Sequence, residues 1–364
     1  MQDPSFDSLL KNLSQKKDLN SEEAGFCMHE IMHGNASQEA MASFLTLLKE
    51  KGETVEELVA FAKIMRGASL RVNFHADYMV DTCGTGGDGG GTFNISTCCA
   101  FVAAGAGAIV AKHGNRKASS QSGSMDVIEK LGVPMANSQG EAERQLSRAG
   151  ITFMFAPAFH PAMKNVAPVR KALGFKTVFN ILGPLCNPAQ VKRQVIGVYG
   201  KALIAKVAGA LGQLGTEKAM VVCGDTDEIS TSSETSVAEV AGDRRNGAGN
   251  GGFGAGSAGG KTLRAATIKE YKIYPSDFGF KMSSLAELAA ANPEESAKRI
   301  LEVLSGKAGA ARDIVLLNSG AAIYVSGKAG SLRQGIELAQ KSIDSGKAMQ
   351  KLEALKALSV VGGK

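Results

Sequence analysis

The sequence predicts an α/β protein: a small all-helical unit, then a larger α/β layer built on a mostly parallel sheet. Three observations lead there. Before about residue 72 there is no strand signal, only apolar residues spaced three and four apart. From about Asp77, short β-branched runs alternate with Ala-rich stretches of helical period, as in a parallel sheet covered by helices. The chain is also 364 residues long, more than one hydrophobic core usually organises. Two domains are therefore expected, residues 1–72 and 73–364.

The elements follow in order. Residues 8–67 read as helices. Ser21-Glu22-Glu23 puts acidic side chains at the positive end of one of them, and Gly34-Asn35 stops it. Residues 37–51 and 54–65 continue the pattern. The strand candidates are residues 79–82, 108–111, 152–155, 195–199 and 219–223. Two helices, residues 332–345 and 348–358, close the chain. Residues 245–261 are rich in Gly, Ala, Asn and Ser and cannot bury enough apolar surface to offset their ordering entropy. A flexible loop at the tip of a turn is expected there.

Composition excludes several classes of function. With 44% apolar and 21% charged residues, the chain is globular and not disordered. Its longest uncharged apolar run, residues 95–111, is too short and too rich in Gly, Ala and Cys for a membrane span. The opening Met-Gln-Asp-Pro-Ser-Phe-Asp carries no secretion signal, so a cytoplasmic protein is expected, with its six cysteines as reduced thiols. A net charge of +6, no Trp and 5% aromatic residues give nucleic acid little to bind. The same mild excess suits a small polyanionic substrate.

Where the glycines sit carries more. Gly84, Gly86, Gly87, Gly89, Gly90 and Gly91 crowd between a strand and a helix that begins near Asn94. A structural turn needs one or two glycines. Six let the backbone close on a ligand with its N–H groups presented, and the helix N-terminus adds positive charge, so the loop reads as an anion site for phosphate. The dinucleotide fingerprint is matched only formally, because Lys112 stands in the region where the ribose-binding acid belongs. Asp88 inside such a loop would repel phosphate unless a cation or hydroxyls intervene, which points to a metal-bound or ribose-bearing diphosphate.

Two further clusters join it. Lys112-His113-Gly114-Asn115-Arg116, with Ser119, Ser120, Ser122 and Ser124, sets cations, an amide and hydroxyls after a strand. Asp225-Thr226-Asp227-Glu228 follows the apolar run ending at Cys223, at the strand end where α/β sheets bind ligands. Such hard oxygen donors beside a diphosphate suit Mg²⁺. His29-Glu30-Ile31-Met32-His33 matches a zinc-protease pattern and residues 255–262 a loose Walker A. The first lies in a small helical unit without an assignable third ligand. The second lacks a preceding strand.

In these motifs the chain resembles the anthranilate phosphoribosyltransferases, a family with a nucleoside-phosphorylase-like fold. The resemblance rests on Gly84-Thr85-Gly86-Gly87-Asp88, Asn94-Ile95-Ser96-Thr97, Lys112-His113-Gly114-Asn115-Arg116, Phe179-Asn180-Ile181-Leu182-Gly183-Pro184, Asp227-Glu228 and the Asn-Ser-Gly-Ala-Ala run from Asn318. It covers nearly the whole chain, and the long Gly-rich tract is its main departure. It implies a homodimer formed by the helical domain, which a returning segment near residues 168–183 completes, with the substrate in a cleft closed by hinge motion. It implies Mg²⁺-dependent transfer of phosphoribose from phosphoribosyl pyrophosphate to the amine of anthranilate in tryptophan biosynthesis. The implied donor contacts are Gly84, Gly87, Asp88, Thr92, Asn94, Ile95, Ser96, Thr97, Lys112, His113, Gly114, Asn115, Arg116, Lys117, Ala118, Ser119, Ser120 and Ser124. Gly84, Asn115 and Arg170 are the implied anthranilate contacts, and Ser96, Asp227 and Glu228 the implied Mg²⁺ ligands. No residue is implied as acid or base, since an aromatic amine is already neutral near pH 7. His113 and His160 are expected along the aromatic pocket. A pyrimidine nucleoside phosphorylase would not need Arg170, and a nucleic-acid-binding relative would carry a stronger basic surface.

Overall fold

The computed structural model describes residues 5–86, 91–116, 122–242 and 266–360. Its first four helices are α1 (Phe6–Ser14), α2 (Ser21–His33), α3 (Gln38–Lys51) and α4 (Val55–Gly67). Their limits follow from local chemistry. Asn20 caps α2 in a reciprocal box with Glu23, and Gly34 ends it in the left-handed region at φ 76°. Ser37 caps α3, and Thr54 forms a box with Glu57 at the start of α4.

The α/β part runs through β1 (Met79–Val80), α5 (Ile95–Gly105), β2 (Ile109–Gly114), α6 (Ser124–Lys130), α7 (Gln139–Ala149) and β3 (Ile151–Phe155). Then come α8 (Ala156–Phe159), a 3-10 turn over Pro161–Asn165, α9 (Ala167–Leu173) and α10 (Val178–Leu185). They are followed by β4 (Arg193–Gly197), α11 (Ile204–Gln213), β5 (Lys218–Cys223), β6 (Thr235–Ala241) and β7 (Thr267–Ile273). The chain closes with α12 (Leu285–Leu288), α13 (Pro293–Leu304), α14 (Ala310–Ser326), α15 (Leu332–Asp344) and α16 (Lys347–Val360).

Strands β1, β2 and β3 pair in parallel, as do β4 and β5, while β6 and β7 add antiparallel at the edge. A parallel bridge between Asp81 and Gln194 joins the two groups, so the strands run β3-β2-β1-β4-β5-β6-β7. The five expected strands are present. The two antiparallel strands went unread: β7, Thr-Ile-Lys-Glu-Tyr-Lys-Ile, forms the edge and is exposed and charged, as sheet edges are when they avoid further pairing. The Gly-rich tract expected as a loop falls between β6 and β7, outside the described residues.

This order has a consequence for ligand binding. The chain lays β1 to β3 outward on one side, then returns to put β4 on the other side of β1. The crevice at such a reversal, beyond the carboxyl ends of the strands, is where open α/β sheets bind ligands. Two cores flank it. One gathers α5, α13, α14, α15 and α16 against the sheet, and α5 is buried on every side from Ile95 to Ala104. The other unites α1 to α4 with Val166, Val169, Val178 and Phe179 and, through α11, with Ile196 and Val221 of the sheet.

Candidate functional site

A cavity of about 570 Å³ opens over the carboxyl ends of β1, β2, β4 and β5. The glycine loop, the segment after β2, the turn after β5, and α9 and α10 from the helical side all line it. The topology thus brings together clusters that lie far apart in sequence.

The loop leaves β1 through Asp81, whose buried carboxylate accepts from Asn187 Nδ2 at 2.7 Å. Asn187 also donates to the Ala111 carbonyl and accepts from Ala189, tying β1, β2 and the segment after α10 together. At the root of the loop the buried Lys112 ammonium donates to the Thr82 carbonyl at 2.7 Å and to Ser96 Oγ at 3.2 Å. Thr85 N donates to the Gly197 carbonyl at 2.8 Å, and Gly86 N to Asp227 Oδ2 at 3.0 Å. A Cβ on Gly84 would lie 3.0 Å from that same carboxylate oxygen and 3.1 Å from the Gly197 carbonyl. The loop's first glycine is therefore a matter of space.

At the far end of the loop, Gly91 and Phe93 bond to the segment at Leu288 and Ala290. Asn94 donates from its backbone to Ser296 Oγ and from its side chain to the Ser122 carbonyl, and Ser296 returns a bond to Asn94 Oδ1 at 2.8 Å. A fully buried serine of α13 thus sets a loop residue 202 positions away. Gly114 lets Ser124 approach, since a Cβ there would meet Ser124 Oγ at 2.3 Å.

Most of the expected donor contacts meet at this cavity: Gly84, Thr92, Asn94, Ile95, Ser96, Lys112, His113, Gly114, Asn115, Arg116 and Ser124. Thr97 does not, being fully buried in the core behind the wall. Arg116 reaches the cavity edge while its guanidinium pairs with Glu129 at 2.7 Å. Gly87, Asp88, Lys117, Ala118, Ser119 and Ser120 lie outside the described residues.

On the opposite wall Arg170, in the last turn of α9, lies over the Phe179 ring and donates to Asn180 Oδ1 at 3.3 Å. Among the described residues no carboxylate pairs with it, and burial pulls its guanidinium below its ordinary pKa. Asn180 also accepts from Thr177 N, so the α10 capping residue holds the arginine in place. Sequence reading named the segment of Asn180 without a role and missed Ser296 and Lys164, a further cavity residue, since nothing local marks them.

His113 and His160 meet on this wall with ring centroids 5.0 Å apart. Burial depresses the His113 pKa to about 3 and that of His160 to about 4, so both are neutral imidazoles at pH 7. The sign for stability follows. On unfolding, each regains a pKa near 6.5, so acid favours the unfolded chain below that pH. Asp81 works the other way, because burial raises its pKa to about 6 and its folded form takes up a proton as pH falls. Comparison with a His113→Asn, His160→Asn double variant cancels the Asp81 contribution. Between pH 6.5 and 4.5 the unmodified chain should lose about 2–3 kcal/mol per pH unit relative to the variant, two protons' worth. Parallel urea midpoints for the two proteins would show that the imidazoles are not held neutral.

Asp227 and Glu228 line the cavity beside Ser96. Among the described residues no three His, Cys, Asp or Glu side chains gather as a metal cage. Two carboxylates and a hydroxyl suit Mg²⁺, which keeps waters and takes substrate phosphate oxygens as its other ligands. His29 and His33 stand exposed on α2, stacked at 3.9 Å and away from the cavity. No helix among the described residues is long and apolar enough to cross a membrane.

Comparison with known proteins agrees with this geometry. Residues 7–69 match the helical bundle domain of the glycosyl transferase family, and residues 76–249 and 254–349 match its a/b domain. The anthranilate phosphoribosyltransferase of Clostridium kluyveri is 44% identical over 95% of this chain and 97% of its own. The crystal structure of the Thermus thermophilus anthranilate phosphoribosyltransferase superimposes with a TM-score of 0.84 at 37% identity, covering 96% of this chain and 98% of that one. The Saccharomyces cerevisiae enzyme, in complex with phosphoribosyl pyrophosphate and Mg, gives 0.82 at 29% identity, covering 96% of each chain.

Proposed function

The chain belongs to the anthranilate phosphoribosyltransferases of the glycosyl transferase family, and from that premise we propose which of its residues carry each part of the reaction. The reaction transfers the phosphoribosyl group from phosphoribosyl pyrophosphate to the amine of anthranilate and releases pyrophosphate, within tryptophan biosynthesis. One observation carries the assignment: a single cavity sets an anion loop and Lys112 on one wall against a half-buried Arg170 that meets no carboxylate among the described residues on the other.

The donor is held by the glycine loop, Asn94, Ser96 and Lys112: the loop offers N–H groups, Ser96 a hydroxyl, and the buried Lys112 positive charge at the root of the loop. By the family likeness, Gly87, Asp88 and residues 117–120 are donor contacts as well. Arg170 takes the anthranilate carboxylate, Asn115 orients the acceptor, and the neutral rings of His113 and His160 line its aromatic face. No side chain needs to remove a proton before attack, because the amine nitrogen already carries a lone pair. The barrier lies in departure of the diphosphate as positive charge grows on the ribose, so positioning and fixed charge do most of the work. Mg²⁺ held by Asp227, Glu228 and Ser96 would neutralise charge on the departing diphosphate.

Residues 1–72 with 168–183 form the helical domain in this reading, and 73–364 the donor-binding domain. The shared core of α1 to α4 with Val169 and Val178 supports that division. A homodimer through the helical domain follows from the family likeness. A cytoplasmic location is consistent with six cysteines that form no disulfide.

Loss of anthranilate fluorescence should require phosphoribosyl pyrophosphate and Mg²⁺ together, and its absence with all three present would refute the reading. Asp227→Asn and Glu228→Gln should each raise the Mg²⁺ concentration for half-maximal rate about tenfold, the scale on which metal sites respond to lost oxygen partners. An unaltered Mg²⁺ titration would remove both from the metal site.

A further inference from the structure

The turn that carries Asp227 and Glu228 is held from behind by a residue with no assigned role. Asn318, in the middle of α14, is 4% exposed and borders the cavity. Its Oδ1 accepts from Ile229 N at 2.8 Å, and its Nδ2 donates to the Ile229 carbonyl at 2.8 Å and to the Ile314 carbonyl at 2.9 Å. One side-chain amide thus grips both backbone groups of the residue that follows Glu228. Ile229 is itself fully buried, so neither group has water as an alternative partner.

The grip is fixed at its other end. Tyr324, six positions on along α14, donates to Glu239 of β6 at 2.6 Å, and the Ser326 carbonyl accepts from Arg193 of β4. The helix is therefore pinned to the two strands that flank β5, the strand from which the turn emerges. On the cavity side, the Asp227 carboxylate accepts from Gly86 N and its backbone oxygen lies against Gly197. Asn318 fixes the peptides on either side of Ile229, directly after Glu228.

We infer that Asn318 is a positioning residue for divalent-cation binding, pre-setting the Asp227-Glu228 turn to receive a metal–diphosphate complex. This rests on the reading of those two carboxylates as the Mg²⁺ ligands. A ligand-bearing turn must be held to within about half an ångström to keep its affinity, and outer partners of metal ligands are worth roughly 10- to 100-fold. Asn318 is charge-neutral and does not touch the donor in this role, so removing it should spare metal-free donor binding.

The test is calorimetric and needs no turnover. Phosphoribosyl pyrophosphate is titrated into the full chain without anthranilate, once with Mg²⁺ and once with EDTA, and the ratio of the two affinities is the gain due to metal. Asn318→Leu, similar in size and uncharged, should cut that gain about tenfold and leave the EDTA affinity within about twofold. Asn318→Ser, which makes less change in polarity, serves if the leucine variant does not fold. Asp227→Asn is measured in parallel. If it cuts the gain while a folded Asn318 variant keeps it, the positioning role is wrong. If Asp227→Asn and Glu228→Gln also keep it, the carboxylate reading fails instead. An equal loss of affinity with and without Mg²⁺ would make Asn318 merely structural and overturn the inference.

Discussion

Arg170→Ala should raise the KM for anthranilate roughly 100- to 1000-fold and leave the KM for phosphoribosyl pyrophosphate within about threefold. The guanidinium is half-buried, and among the described residues its partners are an amide oxygen and the face of a phenyl ring. A charge desolvated in this way and lacking a counter-ion is poised for a carboxylate, whose two oxygens fit the planar fork. Stripping a desolvated carboxylate of such a partner costs about 3–4 kcal/mol, from which the factor follows. Arg170→Lys should recover only part of the loss, because an ammonium cannot bind both oxygens in one plane. A second check uses aniline, which keeps the amine and lacks the carboxylate: the unmodified enzyme should discriminate strongly against it, and the alanine variant hardly at all. Equal rises in KM for both substrates would place Arg170 in general cleft geometry and end the assignment.

Gly197→Ala should be the most damaging single-methyl change among the described glycines. Gly197 ends β4 beside the glycine loop, and a Cβ there would stand 1.5 Å from the backbone oxygen of Asp227. That is a covalent distance to a main-chain atom, so no rotamer change relieves it. Either the Asp227 turn moves, breaking the bond from Gly86 and dragging at the grip of Asn318, or the end of β4 moves and pulls on the Thr85 bond. Overpacking of this kind costs about 3 kcal/mol or more, on the order of a 4 °C or larger drop in Tm for a chain of this length. The metal-dependent gain in donor affinity should fall with it, since both escape routes pass through the carboxylate turn. A variant with unchanged Tm and unchanged Mg²⁺ response would mean that the turn is looser than its contacts indicate.

The clusters that face a ligand were legible because each is local. Glycines following a strand, a lysine at the end of the next strand and carboxylates after an apolar run carry their chemistry in adjacent positions. Arg170, and the choice of Asp227 and Glu228 within their acidic turn, came through the family resemblance, and the cavity then gathered them. What went unread has a common form. Ser296 and Asn180 hold site residues, yet each looks in sequence like an ordinary polar residue of a helix. Gly197 looks like a plain strand end until Asp227 stands against it. Strand β7 was missed because an edge strand exposed to water loses the apolar run that betrays a buried one.

By itself, then, the sequence determined the local grammar: the capped helices of the first unit, the α/β alternation, the anion loop at the carboxyl end of β1, and the family. Only the tertiary structure decided who supports whom. Gly86 bonds a carboxylate 141 positions away, Asn94 a serine 202 away, and Ile229 an asparagine 89 away. Such pairings depend on strand order, on the reversal that sets β4 beside β1, and on the space left between backbones, none of which is written in any neighbourhood of the chain. Local chemistry can state which groups would bind a diphosphate. Long-range packing alone holds them still enough to do it.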